Sequence, residues 1–408
     1  MRKFFTLVAA VLTALTLQAE AIYFDCGANG DNMWAEFNTG SGALFLYGTG
    51  RMADYAKADD VPWYQYKDKI TSIQIDSRSK FTSIGNEAFP NCPNLESVTL
   101  PETVDSIGYE AFDRCHKLSK VNFPKALKYI ESYAFSSSKL SSIKLPEGIL
   151  SIGSAAFYAC DELFSVFIPY TVTKIGVEAF SSCDNLTAIN VDIKNTTYCS
   201  IGGVLFSKDQ QTLYAVPAGF QEPTFSISSH VKTIGEGAFL GCKNFTEIIL
   251  PQSVTEIKSS AFASCNITSM ELPEGLKHIG FGAFYRCTKM ESVTIPSTVT
   301  YIANVCFQSC TALTSVTCKA TNPPTCESSA FNEIDLTQCH LYVPESAIEK
   351  YKLSSPWHEF GDNIHAIGEG IEEIRTNPAV NGRKVIYNGQ VYILQEGKSY
   401  TLTGTEIK

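Results

Sequence analysis

The sequence predicts a repeat solenoid, mainly β, whose turns are each about 23 residues long. An Ala-Phe pair recurs at Ala88-Phe89, Ala111-Phe112, Ala134-Phe135, Ala156-Phe157 and Ala179-Phe180. It resumes at Ala238-Phe239, Ala261-Phe262 and Ala283-Phe284, and ends as Cys306-Phe307. The Phe-to-Phe steps are 23, 23, 22, 23, 59, 23, 22 and 23. Between the pairs, stretches such as Leu95-x-x-Val98-x-Leu100 have the alternation of a short strand with one face inward, and Pro101 stops it. No single turn can shield its own apolar residues, so neighbouring turns must do so, and Phe89, Phe112, Phe135, Phe157, Phe180, Phe239, Phe262, Phe284 and Phe307 are spaced to stack.

The elements follow in chain order. Arg2 and Lys3, an apolar run from Phe4 to Leu17, and Ala19-Glu20-Ala21 have the pattern of a secretory signal peptide over residues 1–21. It is too short to be a membrane span, and no later run is apolar enough to be one. Residues 22–75 are expected to cap the first turn, where strand edges would otherwise lie open. Residues 76–318 carry the repeats. The 59-residue step contains VLFSKDQQTLYAVPAG, read as an inserted β-hairpin within about 192–224: two apolar stretches, Val204–Phe206 and Leu213–Val216, flank a polar turn. Residues 319–367 are expected to form the C-terminal cap, with a strand over His340–Val343, a short helix over Glu345–Leu353, and Trp357 and Phe360 as anchors. Residues 368–408 read as a linker and a C-terminal hairpin module, with Asn388-Gly389 at a turn.

The net charge of −10 and the lack of any Lys/Arg cluster argue against nucleic acid or an anionic membrane as the main partner. With 44% hydrophobic and 18% charged residues, the composition is that of an ordered chain.

The signature A-F-x-x-C-x-x-L-x-x-V-x-L-P at a 23-residue step resembles the BspA-like leucine-rich repeat family. FLYGTGRMADY and PWYQYKDKITSIQI resemble that family's N-terminal segment, and CKATNPPTCESSAF with HLYVPESAIEKYKLSSPWHEF resembles its final unit. The resemblance covers about residues 24–366. It implies a leucine-rich repeat array, exported by host-associated bacteria or parasitic protozoa. It also implies a surface protein that binds host extracellular matrix.

Catalytic chemistry is not legible. The six histidines form neither HExxH nor His-x₃₋₅-His, and no GxSxG, Walker loop, GxGxxG or CxxC occurs. No cofactor, metal or catalytic residue is expected, and no carboxylate pair stands out as acid and base. His358 and His365 read as cap residues. Eight of the 14 cysteines occupy one repeat position, where Ser138 substitutes once, so they are expected to form a column of buried thiols. Any disulfide belongs to the off-register set of Cys26, Cys199, Cys306, Cys318, Cys326 and Cys339, with Cys326–Cys339 first.

What remains is surface. The residues before and after each inward-facing Val should stack into two outward ladders, mostly small and polar. Phe167 and Ile249 are apolar exceptions and candidate binding anchors, and Lys120, Lys144, Glu247 and Glu271 supply charge on the same ladders. The expected partner is a protein or glycan, including host extracellular matrix, met outside the cell, at its surface or in the periplasm. A structural spacer of the cell envelope with no specific ligand is the alternative.

Overall fold

A computed structural model of the chain describes residues 20–368 apart from Asp31 and Ser77, together with four strands between 383 and 407. The signal peptide expected at 1–21 and the linker expected after Gly368 lie outside the described residues, save Glu20 and Ala21. The fold is a mainly β solenoid of about 13 turns at ~23-residue spacing, with few helices. It falls into two compact units: Met1–Leu163 with Phe167–Ala179, and Phe164–Val166 with Phe180–Lys408.

In the first unit, Ala21–Asp25, Met33–Asn38 and Ala43–Arg51 form an antiparallel meander. The long third strand serves two ladders. Its first half pairs in parallel with Ser72–Ile75, and its second half with Lys80–Ile84. One ladder then runs through Ser97–Thr99 to Lys120–Val121. The other runs through Ser106–Ile107, Tyr129–Ile130 and Ser151–Ile152 to Lys174–Ile175. Inward residues of these strands, such as Val98 and Ile107, are buried.

The repeat pair makes a third ladder. The amides of Phe89, Phe112, Phe135 and Phe157 donate to the carbonyls of Ala111, Ala134, Ala156 and Ala179 at 2.8–2.9 Å. Each of these bonds links one turn to the next, so the backbone groups of a turn are satisfied by its neighbour. The rings stack between turns: Phe89–Phe112 at 5.5 Å, Phe112–Phe135 at 5.3 Å and Phe135–Phe157 at 5.5 Å, with interplanar angles of 10°, 14° and 6°. Trp63 begins this column. Its ring stacks on Phe89 at 5.1 Å and its Nε1 donates to the Ala88 carbonyl at 3.0 Å.

The second unit repeats the arrangement. Phe239, Phe262, Phe284, Phe307 and Phe331 stack at 5.0–5.5 Å. Phe331 extends the column beyond Phe307, and Trp357 and Phe360 close it with their rings edge-on at 5.5 Å. Trp357 Nε1 donates to the Pro324 carbonyl at 2.9 Å, and the Tyr351 hydroxyl donates to the Ala320 carbonyl at 2.9 Å. Helix Ile348–Leu353 carries Tyr351 into this cap.

The long step is part insertion and part repeat. Tyr198–Ile201, Val204–Ser207 and Thr212–Ala215 form an antiparallel meander. Its last strand pairs in parallel with Thr233–Ile234, and that ladder runs on to Thr325–Cys326. Val216 then takes the Phe position. It follows Phe180 by 36 residues and precedes Phe239 by 23. Its amide donates to the Ala238 carbonyl at 2.8 Å, as a repeat Phe would. Arg383–Tyr387, Gln390–Gln395, Lys398–Thr401 and Glu406–Ile407 form a four-stranded antiparallel meander, two strands more than a hairpin.

The cysteine column has a polar reason as well as an apolar one. The thiols of Cys115, Cys160, Cys265, Cys287 and Cys310 donate to the Phe carbonyl of the preceding turn at 3.1–3.3 Å. A hydroxyl fits the same place, and Ser138 Oγ lies 3.3 Å from Cys160 Sγ. Among the described residues all 14 cysteines are free thiols. The expected Cys326–Cys339 bridge is therefore not present. Cys326 lies on Thr325–Cys326, the last strand of the sheet that begins at Tyr198–Ile201, whereas Cys339 leads into His340–Val343 of another sheet. Burial pushes both thiols up to about 12.

Each of the nine turns that carry Phe89, Phe112, Phe135, Phe157, Phe180, Phe239, Phe262, Phe284 and Phe307 places two residues in the left-handed region, one on either side of the repeat pair. Glu110 (φ 52°) and Arg114 (φ 54°) do so in one turn, and Val305 (φ 52°) and Ser309 (φ 61°) in another. Glycine takes the first of these places at Gly237 and Gly282. A non-glycine residue there costs about 1–2 kcal/mol, and a β-branched one is the least tolerant. Val305→Asn should therefore raise the melting temperature, by the equivalent of about 1 kcal/mol, since Asn tolerates this conformation. A lower melting temperature would contradict the strain assigned to Val305.

Candidate ligand-binding face

Outward residues of the paired strands form registered columns. In the second unit Ser269, Ser292, Ser315 and His340 stand side by side, and Glu271, Thr294, Thr317, Tyr342 and His365 form the column beside them. Between the columns lie the buried Met270, Val293, Val316, Leu341 and Ile364. Hydroxyl groups in register on the strands of a parallel sheet are regularly spaced hydrogen-bond partners.

Phe167 and Ile249 are both outward, with exposures of 49% and 47%. They fall in different units. Glu247 and Ile249 flank the buried Ile248 on one strand, whose neighbour presents Thr224 and Ser226. The Thr224 hydroxyl donates to Glu247 Oε2 at 3.2 Å. Glu271 is exposed and ion-paired to Lys319 at 3.6 Å, so a ligand would have to compete with that lysine. Lys120, in register with Ser97, and Lys144 are exposed in the first unit.

Three features of the outward surface escaped the sequence. The first is a row of rings on the N-terminal meander. Trp34 stacks on Tyr47 at 4.0 Å and 15°, and Tyr23 lies 5.8 Å from Trp34. Tyr23 is 63% exposed, and Tyr23, Phe24, Asp25, Met33 and Trp34 line a shallow, open depression. Alternating aromatics on paired strands were the available signal. The second is the end of the ladders. His340 Nδ1 lies 3.0 Å from His365 Nε2, and the Tyr342 ring is 5.6 Å from that of His365. The spacing His340-Leu-Tyr342 matches Ser315-Val-Thr317, so continuing the ladder by one turn would have found it.

The third is a carboxylate pair. Glu87 and Glu110 hold the same place in successive turns. Burial, with the Glu110 carboxylate beside it, pushes the Glu87 carboxyl up to about 7. The hydrogen bond to Glu110 and partial burial raise the Tyr109 phenol to about 12. A carboxyl raised in the fold binds its proton better there than in the unfolded chain. Its contribution to stability is then complete below about 4.5 and is lost as pH rises through about 7. Glu87→Gln should accordingly raise the melting temperature at pH 8 and leave it nearly unchanged at pH 4.5. An equal shift at both pH values would show that the pair does not titrate this way.

No group of three or more His, Cys, Asp or Glu among the described residues is placed to hold a metal ion, and no helix among them is long and apolar enough to cross a membrane.

The family profile described as BspA type leucine rich repeat region matches residues 64–211 and 221–337, in 6 copies. A crystal structure of a leucine-rich repeat protein from Eubacterium ventriosum is 26% identical, covers 85% of this chain and 85% of its own, and superposes with a TM-score of 0.62. The pneumococcal vaccine antigen PcpA shares the fold at 18% identity and a TM-score of 0.51, covering 81% of this chain and 95% of its own. A leucine rich cell surface protein from Faecalibacterium prausnitzii is 26% identical over 71% of this chain and 93% of its own, with a TM-score of 0.46. No curated protein matches the chain.

Proposed function

The chain belongs to the BspA type leucine-rich repeat family, and on that premise we propose that it is a non-catalytic, exported binding protein that holds a host protein or glycan on its outward sheet face. The observation that carries this reading is the contrast across each strand. The inward residues are buried and apolar, whereas the outward columns are mostly polar, with the half-exposed apolar Phe167 and Ile249 among them. A scaffold explains the first set completely and leaves the second free to serve a ligand. The exposed Tyr23 and Trp34 rings, with the half-buried Tyr47 stacked on Trp34, give the N-terminal meander an amphipathic surface of the kind enriched at interfaces. Signal-peptide cleavage after Ala21 would deliver the chain to the surface where such a ligand is met.

The test is a binding panel with residues 22–408 against immobilised fibronectin, fibrinogen, laminin, collagen and a glycan array. Saturable binding that is lost when the protein is heat-unfolded supports the reading. A blank across the panel would contradict it and favour a structural role in the envelope.

A further inference from the structure

The outward columns of the second unit end in a pair of imidazoles whose geometry has a use beyond ligand contact. We propose that His340 and His365 form a surface site for a divalent late transition metal, copper(II) before others. Imidazole nitrogens bind such metals at about 2.0–2.1 Å. Two nitrogens at right angles on one ion then lie about 2.9 Å apart, and at the tetrahedral angle about 3.3–3.4 Å apart. His340 Nδ1 and His365 Nε2 are separated by 3.0 Å, which suits adjacent corners of a square-planar or tetragonal ion. That geometry belongs to copper(II) and nickel(II), and copper(II) is the tightest binder of the divalent series.

The rings are held by strands rather than loops. Leu341, Tyr342 and Val343 pair with Ile364, His365 and Ala366 in a parallel ladder, and the strands stand over buried Leu341 and Ile364. Little ordering is then left for the metal to impose. His340 is exposed and His365 half-buried, so an ion reaches the pair from solvent. Without metal, one ring nitrogen donates its proton to the lone pair of the other. Metal binding uses both lone pairs, and the donor ring moves its proton to its other nitrogen, so no charge is displaced. Water completes the coordination, and the Tyr342 ring lies 5.6 Å from that of His365. With two protein nitrogens, the site suits an exchangeable ion and not a structural zinc, which takes four protein ligands. It is independent of the host-ligand reading, because its readout is the metal itself.

The experiment titrates untagged residues 22–408 with copper(II) by calorimetry and records electron paramagnetic resonance of the one-to-one complex. Expected are hyperfine lines from two imidazole nitrogens, and an affinity reduced at least about tenfold in both His340→Ala and His365→Gln, with His278→Ala unchanged. The exposed position of His340 keeps its variant folded, which the melting temperature verifies. Copper affinity unchanged in the two variants, or a spectrum lacking paired imidazole nitrogens, would overturn the proposal.

Discussion

Replacing Phe262 by alanine should cost about 3–5 kcal/mol of unfolding free energy, among the largest single losses available in this chain. Phe262 is fully buried and its ring lies between Phe239 at 5.0 Å and Phe284 at 5.2 Å. Truncation removes two ring contacts and opens a cavity that the ladders on either side cannot close. The hydrogen bond that the Phe262 amide donates to the Ala283 carbonyl and the one that the Cys287 thiol donates to the Phe262 carbonyl both use backbone groups of Phe262. They survive the substitution and hold the turn's spacing, so relaxation is limited. Phe262→Leu keeps most of the apolar volume and should lose less. Urea or thermal denaturation of both variants checks this, and a loss under about 1 kcal/mol for Phe262→Ala would mean that the column is not what binds turn to turn.

Uncapping the array is the second large effect. Trp357 is fully buried, packs edge-on to Phe331 at 5.5 Å and to Tyr351 at 5.3 Å, and donates to the Pro324 carbonyl. Trp357→Ala should cost about 3–5 kcal/mol for the lost side chain. The stranded carbonyl adds about 1–3 kcal/mol. The consequence goes beyond stability, because a final turn without its cover exposes apolar surface and strand edges to other chains. Trp357→Ala should therefore form oligomers at concentrations where the parent stays monodisperse, as size-exclusion chromatography with light scattering would show. Trp357→Phe separates the two contributions, since it keeps the ring contact and loses the hydrogen bond. A monodisperse Trp357→Ala protein with parental stability would remove Trp357 from the cap.

The scaffold was legible in the sequence because its constraint is one-dimensional. Every Ala-Phe pair that repeats at 22 or 23 residues meets the same neighbours, so one pattern reports one environment. The members that were missed break the pattern while keeping the contact. Trp63 and Val216 stand in the column without being Phe, and Phe331 follows Phe307 by 24 residues. The surface was far less legible. Glu87 and Glu110, or His340 and His365, are brought together only when turns stack, and outward positions carry no packing constraint that would mark them. The Cys326–Cys339 expectation failed for a related reason, since spacing along the chain does not say which of two sheets a cysteine faces.

The measurement that tests the central claim most directly is the affinity of the Phe167→Ser, Ile249→Ser double variant for the ligand found in the panel, at matched melting temperature. Both side chains are about half exposed, so the fold should be unaffected while apolar anchoring is lost. The account predicts a loss of roughly tenfold or more, about 1.4 kcal/mol or beyond. Unchanged affinity in a folded double variant would contradict the assignment of Phe167 and Ile249 as binding anchors.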